Sequence, residues 1–148
     1  MKKIAIGLAA CCLLLRAGAA EVEWMTDVAK AQAKAKEDKK LVMLDFTGSD
    51  WCGWCIKLNK DVFSQPEFIE YAKKNLVAVE VDFPRHKEQP EDVKKANAAL
   101  GKKYGVDGYP TIVLLNADGK QVGDAIVGYV RGGPKAFIAK LEELKQKS

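Results

Sequence analysis

At positions 51–55 the sequence reads Trp51-Cys52-Gly53-Trp54-Cys55. An apolar and β-branched run, 41–47, precedes this motif and a helix-compatible run, 56–60, follows it, so the pattern predicts a strand, a short loop and a helix that begins at the cysteines. A cysteine at a helix start lies beside unpaired backbone N–H groups and the positive end of the helix dipole, and both favour the nucleophilic thiolate. We therefore expect Cys52 to attack a disulfide, and Cys55, one helical turn further on, to resolve the mixed disulfide by closing a bridge to Cys52.

Three other roles compete with redox chemistry for this pair of cysteines. A zinc site usually needs four ligands, whereas the chain outside residues 1–20 offers two cysteines and His86. Covalent haem attachment requires Cys-x-x-Cys-His, but Ile56 follows Cys55. An inert structural disulfide stays open as an alternative, although a bridge that closes so small a loop removes little chain entropy from the unfolded state.

The first 20 residues have the features of a signal peptide. Lys2 and Lys3 form a basic start, residues 4–15 are apolar but too short to span a bilayer, and residues 17–20 supply the small side chains that a signal peptidase requires. Cleavage after position 19 or 20 predicts a periplasmic or otherwise exported protein with a folded domain at 21–148. The alternative is a lipoprotein anchored through Cys11, because the residues that end at Cys11 resemble a bacterial lipobox.

Charge and cysteine content limit what this domain can do. The 148-residue chain carries 24 basic and 20 acidic residues, and loss of Lys2, Lys3 and Arg16 with the leader leaves 21 basic residues, so the net charge falls to about +1. A domain so close to neutral gives no argument for nucleic acid as a partner. The four cysteines become two, which leaves none for a further stabilising bridge, so the fold must depend on its hydrophobic core.

The order of the predicted elements indicates an α/β fold. Helices are expected at 26–39, from the cysteines to 60, at 66–75, 90–104 and 134–147, and strands at 41–47, 76–81, 112–115 and 120–130, with an edge strand or entry segment at 21–24. Ser64 and Glu67 form a predicted capping box before the third helix. The hairpin signal Asp118-Gly119 is too short for a crossover, so the last strands are expected to be antiparallel within a three-layer α/β/α arrangement around a central mixed sheet.

Several short motifs, in this order along the chain, resemble the thioredoxin superfamily: Asp45-Phe46, the cysteine motif at 51–55, Tyr104-Gly105-Val106, Tyr109-Pro110-Thr111, Asp118-Gly119 and Gly128. The stretch 46–55 is most similar to exported bacterial thioredoxin-like proteins, including the C-terminal domains of membrane thiol reductases. The resemblance implies a thioredoxin fold over essentially the whole chain after the leader. Trp54 stands where thioredoxin has proline, and this dipeptide helps to set the reduction potential in the family, so the potential is left open.

The resemblance also implies roles for individual residues. The catalytic set is Cys52, Cys55 and Asp45, with a redox-active disulfide between Cys52 and Cys55. The substrate-binding set comprises residues of the motif and of the segment near position 110, namely Trp51, Gly53, Trp54, Tyr109 and Pro110.

Three of these assignments have a structural alternative. Pro110 matches the family's cis-proline, whose preceding backbone pairs with an extended peptide, but a trans proline at a strand start is common. Asp45 would be a buried carboxylate that takes or returns the proton of Cys55, and the alternative is a strand residue hydrogen-bonded for structural reasons. Trp51 could equally belong to the core.

We therefore expect an exported thiol–disulfide oxidoreductase that reduces protein disulfides through Cys52 and Cys55. The exchange needs no bound cofactor, the ligand count disfavours a metal, and we expect a monomer. The resemblance implies that a membrane thiol carrier supplies the electrons. A disulfide oxidant or isomerase is one alternative, and a non-catalytic peptide-binding module is another.

Overall fold

The computed structural model describes residues 20–147, so residues 1–19 of the predicted leader, including Cys11, lie outside the described residues. The strands are β1 (Trp24–Met25), β2 (Leu41–Thr47), β3 (Leu76–Asp82), β4 (Thr111–Leu115) and β5 (Ile126–Val127). The helices are α1 (Val28–Asp38), α2 (Gly53–Leu58), α3 (Pro66–Asn75), α4 (Glu91–Lys103) and α5 (Gly133–Lys145), with a π-helical segment at Asn59–Phe63. No helix between residues 20 and 147 is long and apolar enough to cross a membrane.

The strands form one mixed sheet in the order β1-β3-β2-β4-β5. β3 runs parallel to both β1 and β2, whereas β4 is antiparallel to β2 and to β5. The central strand β2 covers the residues that the sequence predicted. The antiparallel arrangement of the last strands is confirmed, and so is the α/β class with a mixed central sheet.

Alternate side chains of β2 enter two separate cores, one on each face of the sheet. Val42, Leu44 and Phe46 pack with α1, whereas Met43 packs on the opposite face with side chains of α2, α3 and α5. Every one of these β2 side chains is fully buried, which explains why the strand shows so little polar alternation in sequence. The alternation directs the side chain of Asp45 to the same face as Met43, which is the face that carries α2.

The starts of two helices illustrate where local signals succeed and fail. Asp27, whose side chain is of a type favoured at helix starts, caps α1 by accepting a hydrogen bond from the backbone N–H of Lys30 at 3.0 Å. The predicted capping box of Ser64 and Glu67 is wrong: Gln65 is the N-cap residue of α3 and makes no side-chain cap bond. Ser64 instead ends the π-helical segment, where its hydroxyl bonds to the side chain of Asn59, so it is not available to cap the next helix.

The predicted strand at 120–130 is also wrong over most of its length. β5 covers Ile126–Val127 alone, and before it Gln121 makes an isolated bridge to Leu115. Gly123 interrupts the ladder because its φ is +65°, a left-handed conformation that a strand does not contain. A Cβ atom at that position would lie 2.7 Å from the side chain of Leu144, so α5 packs directly on this break.

Candidate active site

The two cysteines are joined by a disulfide at the start of α2. Cys52 is the N-cap residue of this helix, and its Sγ atom accepts a hydrogen bond from the backbone N–H of Cys55 at 3.2 Å. Both cysteines are buried, with Cys52 6% exposed and Cys55 4% exposed. The Cys52 sulfur thus lies where backbone donors can stabilise a negative charge, which is the arrangement that favours a thiolate.

The peptide bond between Tyr109 and Pro110 is cis, which confirms the prediction. Pro110 is buried immediately before β4, and its carbonyl oxygen accepts a hydrogen bond from the backbone N–H of Gly128 at 2.8 Å. The ring of Tyr109 meets the ring of Trp51 edge-on, with the two centroids 5.8 Å apart. This contact brings the cis-proline segment next to the cysteine motif.

Trp51 is half-buried and is fixed on several sides. Its Nε1–H group donates a hydrogen bond to the carbonyl oxygen of Phe83 at 2.8 Å, and the guanidinium carbon of Arg85 lies 3.6 Å from the ring centroid. On another side the indole packs against the backbone of Gly48, where a Cβ atom would lie 2.5 Å from the ring. Residue 48 must therefore be glycine if Trp51 is to keep this position.

Asp50 ties the loop before α2 to the loop after β3. Its carboxylate accepts hydrogen bonds from the backbone N–H groups of Arg85, His86 and Lys87 at 2.9, 2.7 and 2.9 Å. Desolvation raises the pKa of the Asp50 carboxyl, but the three backbone donors outweigh it, so the pKa lies below its ordinary value. One residue earlier, Ser49 bonds to the carboxylate of Asp82 through both its backbone N–H and its hydroxyl.

Trp54 has a very different environment. Its side chain is 55% exposed, and its ring lies 5.5 Å from the ring of Tyr129, measured between centroids. The hydroxyl of Tyr129 donates to Asp61 in the π-helical segment at 2.7 Å, and the ammonium group of Lys57 donates to the same carboxylate at 2.7 Å. Two further exposed apolar side chains are Ile56 on α2 and Val127 on β5.

Asp45 lies on β2 and lines a cavity of about 170 Å³ together with Cys55. The Asp45 side chain is buried, and its Oδ1 atom has no hydrogen-bond partner. Burial, together with the smaller contributions of the negative charges of Glu80 and Asp82, raises the pKa of Asp45 to about 8. A carboxyl group that gains a proton near neutral pH and shares a cavity with Cys55 is equipped to exchange a proton with that thiol.

The predicted site residues thus fall into one region. The structure joins Cys52 to Cys55 at the start of α2 and places Asp45 with Cys55 in the wall of one cavity. The ring of Trp51 contacts that of Tyr109 beside the cysteine motif. Gly53 is the exposed first residue of α2. Within residues 20–147, no three His, Cys, Asp or Glu side chains are grouped so that they could hold a metal ion.

Sequence reasoning did not select four residues that shape this region: Asp50, Glu80, Arg85 and Tyr129. Asp50, Arg85 and Tyr129 act on partners distant in sequence, and no local motif marks them. Glu80 could have been found, because aligning β2 with β3 from their first residues places it opposite Asp45, which is the observed register.

Comparison with known proteins agrees with this geometry. Residues 28–145 match the family model described as a thioredoxin-like domain. The chain is 40% identical over 124 residues to "Disulfide bond reductase DsbH" of Chlamydia pneumoniae, covering 84% of this chain and 73% of that protein. It is 36% identical over 118 residues to "Thiol:disulfide interchange protein DsbD" of Klebsiella pneumoniae, covering 79% of this chain but only 17% of that protein. A solved structure titled "DsbH Oxidoreductase" superimposes with a TM-score of 0.79 and 38% identity over 88% of each chain.

Proposed function

The chain belongs to the thioredoxin-like family and is a thiol–disulfide oxidoreductase, and from this premise we propose that it is exported and reduces protein disulfides. The observation that carries the exchange chemistry is the position of the Cys52 Sγ atom at the start of α2, where the backbone N–H of Cys55 donates to it. A thiolate formed there would be stabilised without any added cofactor.

The reaction takes place in two exchange steps. The Cys52 thiolate attacks one sulfur of a substrate disulfide, which forms a mixed disulfide and releases the first substrate thiolate. The Cys55 thiolate then attacks the Cys52 sulfur, which closes the Cys52–Cys55 bridge and releases the second substrate thiolate. Two electrons pass from the dithiol to the substrate, and an external thiol donor must return them before the next cycle.

Asp45 would serve the second step as the proton acceptor for Cys55. Its carboxyl lines the same cavity as Cys55, and its raised pKa suits exchange of a proton near neutral pH. The structural alternative, an aspartate hydrogen-bonded within the fold, is not favoured by the unpartnered Oδ1 atom.

The substrate would bind as an extended segment across the cysteine motif. Trp51 and Tyr109 would form one border and Trp54 the other, while Gly53 leaves the surface of α2 open between them. The backbone before the cis bond at Pro110 would pair with the substrate main chain.

Reduction is the direction that the relatives support best. The relative from Chlamydia pneumoniae, aligned over most of both chains, is named a disulfide bond reductase. We propose that cleavage after residue 19 or 20 releases the domain 21–148 into the periplasm, with a membrane thiol carrier as its electron donor. Mass spectrometry of the mature N-terminus checks this step. Cleavage at the predicted site gives an unmodified N-terminus at residue 20 or 21, whereas the lipoprotein alternative gives a lipid-modified Cys11 as the first residue.

The decisive experiment is the reduction potential of the Cys52–Cys55 couple, measured on the cleaved protein by equilibration with glutathione. We expect about −270 mV, the value typical of thioredoxin. A value of about −120 to −180 mV would instead indicate an oxidant or isomerase. Cys52→Ser is the matched control and should abolish disulfide reduction. A wild-type protein that binds peptide but reduces no disulfide would indicate a binding module.

A further inference from the structure

We propose that Glu80 is a positioning residue for the resolving step, because it shares a proton with Asp45 across the cavity that Cys55 lines and connects that proton to solvent. This inference rests on the proposed function. It adds a residue that neither the cysteine motif nor the family resemblance selects.

The register of the sheet brings the two carboxyl groups together. Asp45 on β2 is paired with Glu80 on the parallel strand β3, and two positions earlier Met43 is paired with Ala78. Met43 and Ala78 both belong to the core beneath α2, α3 and α5. Because side chains two positions apart point to the same face of a strand, Asp45 and Glu80 also lie on the side of the sheet that carries Cys55.

The cavity provides the path between these groups. It has a volume of about 170 Å³, and Cys55, Asp45 and Glu80 all line it. Further polar side chains in its wall are those of Thr47, Ser49 and Asn59. A polar cavity of this volume can hold ordered water, which can carry a proton between carboxyl groups that do not touch.

The two carboxyls differ in their access to solvent. Asp45 is 7% exposed, and its Oδ1 atom has no hydrogen-bond partner, so it has little direct access to solvent. Glu80 is only half-buried, so it reaches both the cavity and the surface. A proton that leaves Asp45 can therefore bind to the Glu80 carboxylate before it reaches bulk water.

The surrounding charges favour one shared proton over two full ionisations. Burial raises the pKa of Glu80, the charge of Asp82 raises it further, and Lys87 opposes them. Burial likewise raises the pKa of Asp45, with added contributions from Glu80 and Asp82. The cavity walls from β1 and α2 contribute Trp24 and Ile56, which bring no compensating positive charge. Like charges held in one site titrate as a coupled pair.

The proton path in the resolving step follows from this arrangement. As the Cys55 sulfur attacks the Cys52 sulfur, the thiol proton of Cys55 moves to the Asp45 carboxylate. It passes through the cavity to the Glu80 carboxylate and from there to water, while the substrate thiolate leaves with the electron pair of the broken bond.

The test follows the two steps separately with Ellman's reagent, an aromatic disulfide that releases a coloured thiolate. The protein is used reduced, either naturally cleaved or full-length with Cys11→Ser and Cys12→Ser, so that Cys52 and Cys55 are its two thiols. It releases one equivalent when Cys52 attacks and a second when Cys55 resolves. We expect Glu80→Gln to leave the first release unchanged. It should move the pH midpoint of the second release down by about one unit, because loss of a neighbouring negative charge makes Asp45 easier to ionise.

Two companion variants show whether Glu80 acts through Asp45. Asp45→Asn should slow the second release, and adding Glu80→Gln to it should change nothing more. Glu70→Gln removes the same charge on the exposed face of α3 and should leave both releases as in the wild type. A Glu80→Gln profile that superimposes on the wild-type profile, or effects of the two variants that add, would overturn the inference.

Failure of the proposed function looks different, because an oxidant or isomerase would still give both releases but would have a reduction potential of about −120 to −180 mV. Should Glu80→Gln fail to fold, the wild-type protein still provides a measurement. The carboxyl carbon signals of Asp45 and Glu80, followed by nuclear magnetic resonance against pH, should both titrate in two steps with the same pair of midpoints. A single-step titration of Glu80 would refute the shared proton.

Discussion

The two tryptophans of the cysteine motif have opposite environments, although they are three residues apart. On one side, which we call the Trp51 side, residues 49–51 are hydrogen-bonded to residues 82–87. The indole of Trp51 is held there by a hydrogen bond, a guanidinium group and an aromatic edge. On the other side, the Trp54 side, Trp54 is 55% exposed and meets the ring of Tyr129. The active site thus has one fixed border and one open border.

This contrast between the two borders explains how a reactive cysteine can be both positioned and accessible. Cys52 directly follows Trp51, and its backbone N–H donates to the carbonyl oxygen of Gly48 at 2.8 Å, so the fixed side determines where the sulfur lies. Trp54 lies in the first turn of α2 and points away from the core. Its ring can therefore adapt to different substrates without moving the sulfur.

Removal of the fixed tryptophan should have the largest effect. Trp51→Ala should lower the free energy of unfolding by about 3 kcal/mol, because it leaves a cavity and takes away the hydrogen bond to Phe83. Urea denaturation of the oxidised protein, followed by circular dichroism, measures this loss. Trp54→Ala is the matched control and should change the stability by less than about 0.5 kcal/mol. Equal losses in the two variants would contradict the division into a fixed and an open side.

A single added methyl group should disturb the same border. In Gly48→Ala the new Cβ atom would lie 2.5 Å from the Trp51 ring, so the indole must move, and we expect a loss of about 2 kcal/mol. Gly53→Ala is the control at the other glycine of this region, where nothing lies within 4 Å of the added atom. It should leave the stability unchanged or raise it by about 0.5 kcal/mol. A Gly48→Ala protein as stable as Gly53→Ala would show that Trp51 is not confined.

The open side should affect substrate use and leave the stability of the fold unchanged. Trp54→Ala should lower kcat/KM for reduction of a protein disulfide roughly tenfold, which corresponds to about 1.4 kcal/mol, because the exposed ring loses contact area with the substrate. The rate with a small aromatic disulfide should stay within about twofold, since that substrate reaches no further than Cys52. Equal losses for both substrates would indicate that Trp54 acts on the chemistry at Cys52 and has no role in binding the protein.

Features that depend on neighbouring residues could be predicted from the sequence, whereas the contacts on the Trp51 side join distant segments and could not. β2, the cap at Asp27 and the cis bond at Pro110 are marked by short motifs or by a continuous apolar run. The contacts of Asp50 and Trp51 join segments more than 30 residues apart, and no periodicity connects them. The wrong strand at 120–130 has the same origin, because its interruption depends on how closely α5 packs at Gly123.

The smallest effect should come from acid, and it compares a carboxylate from each side. The pKa values of Asp50 and Asp61 both lie below the ordinary value of 3.8. Desolvation raises the pKa of Asp50 by less than the backbone donors lower it. The pKa of Asp61 is lowered first by the hydrogen bond from Lys57 and then by that from Tyr129. A lowered pKa in the folded protein means that the stabilisation is fully present above about pH 4 and is lost as the pH falls through the folded-state value.

Asp50→Asn should therefore lower Tm at pH 7, and its Tm should approach that of the wild type as the pH falls below 4. Asp61→Asn should follow the same course with a smaller change. Asp50 accepts hydrogen bonds on both carboxylate oxygens, so the amide NH₂ group of an asparagine would face a backbone N–H donor and lose that bond. Both partners of Asp61 bond to the same oxygen, and the amide oxygen of an asparagine can take its place. Differential scanning calorimetry between pH 2 and pH 7 measures both variants. If Asp61→Asn lowered Tm more than Asp50→Asn does, the more constrained border would be the Trp54 side, which would contradict the role given to the contacts that fix Trp51.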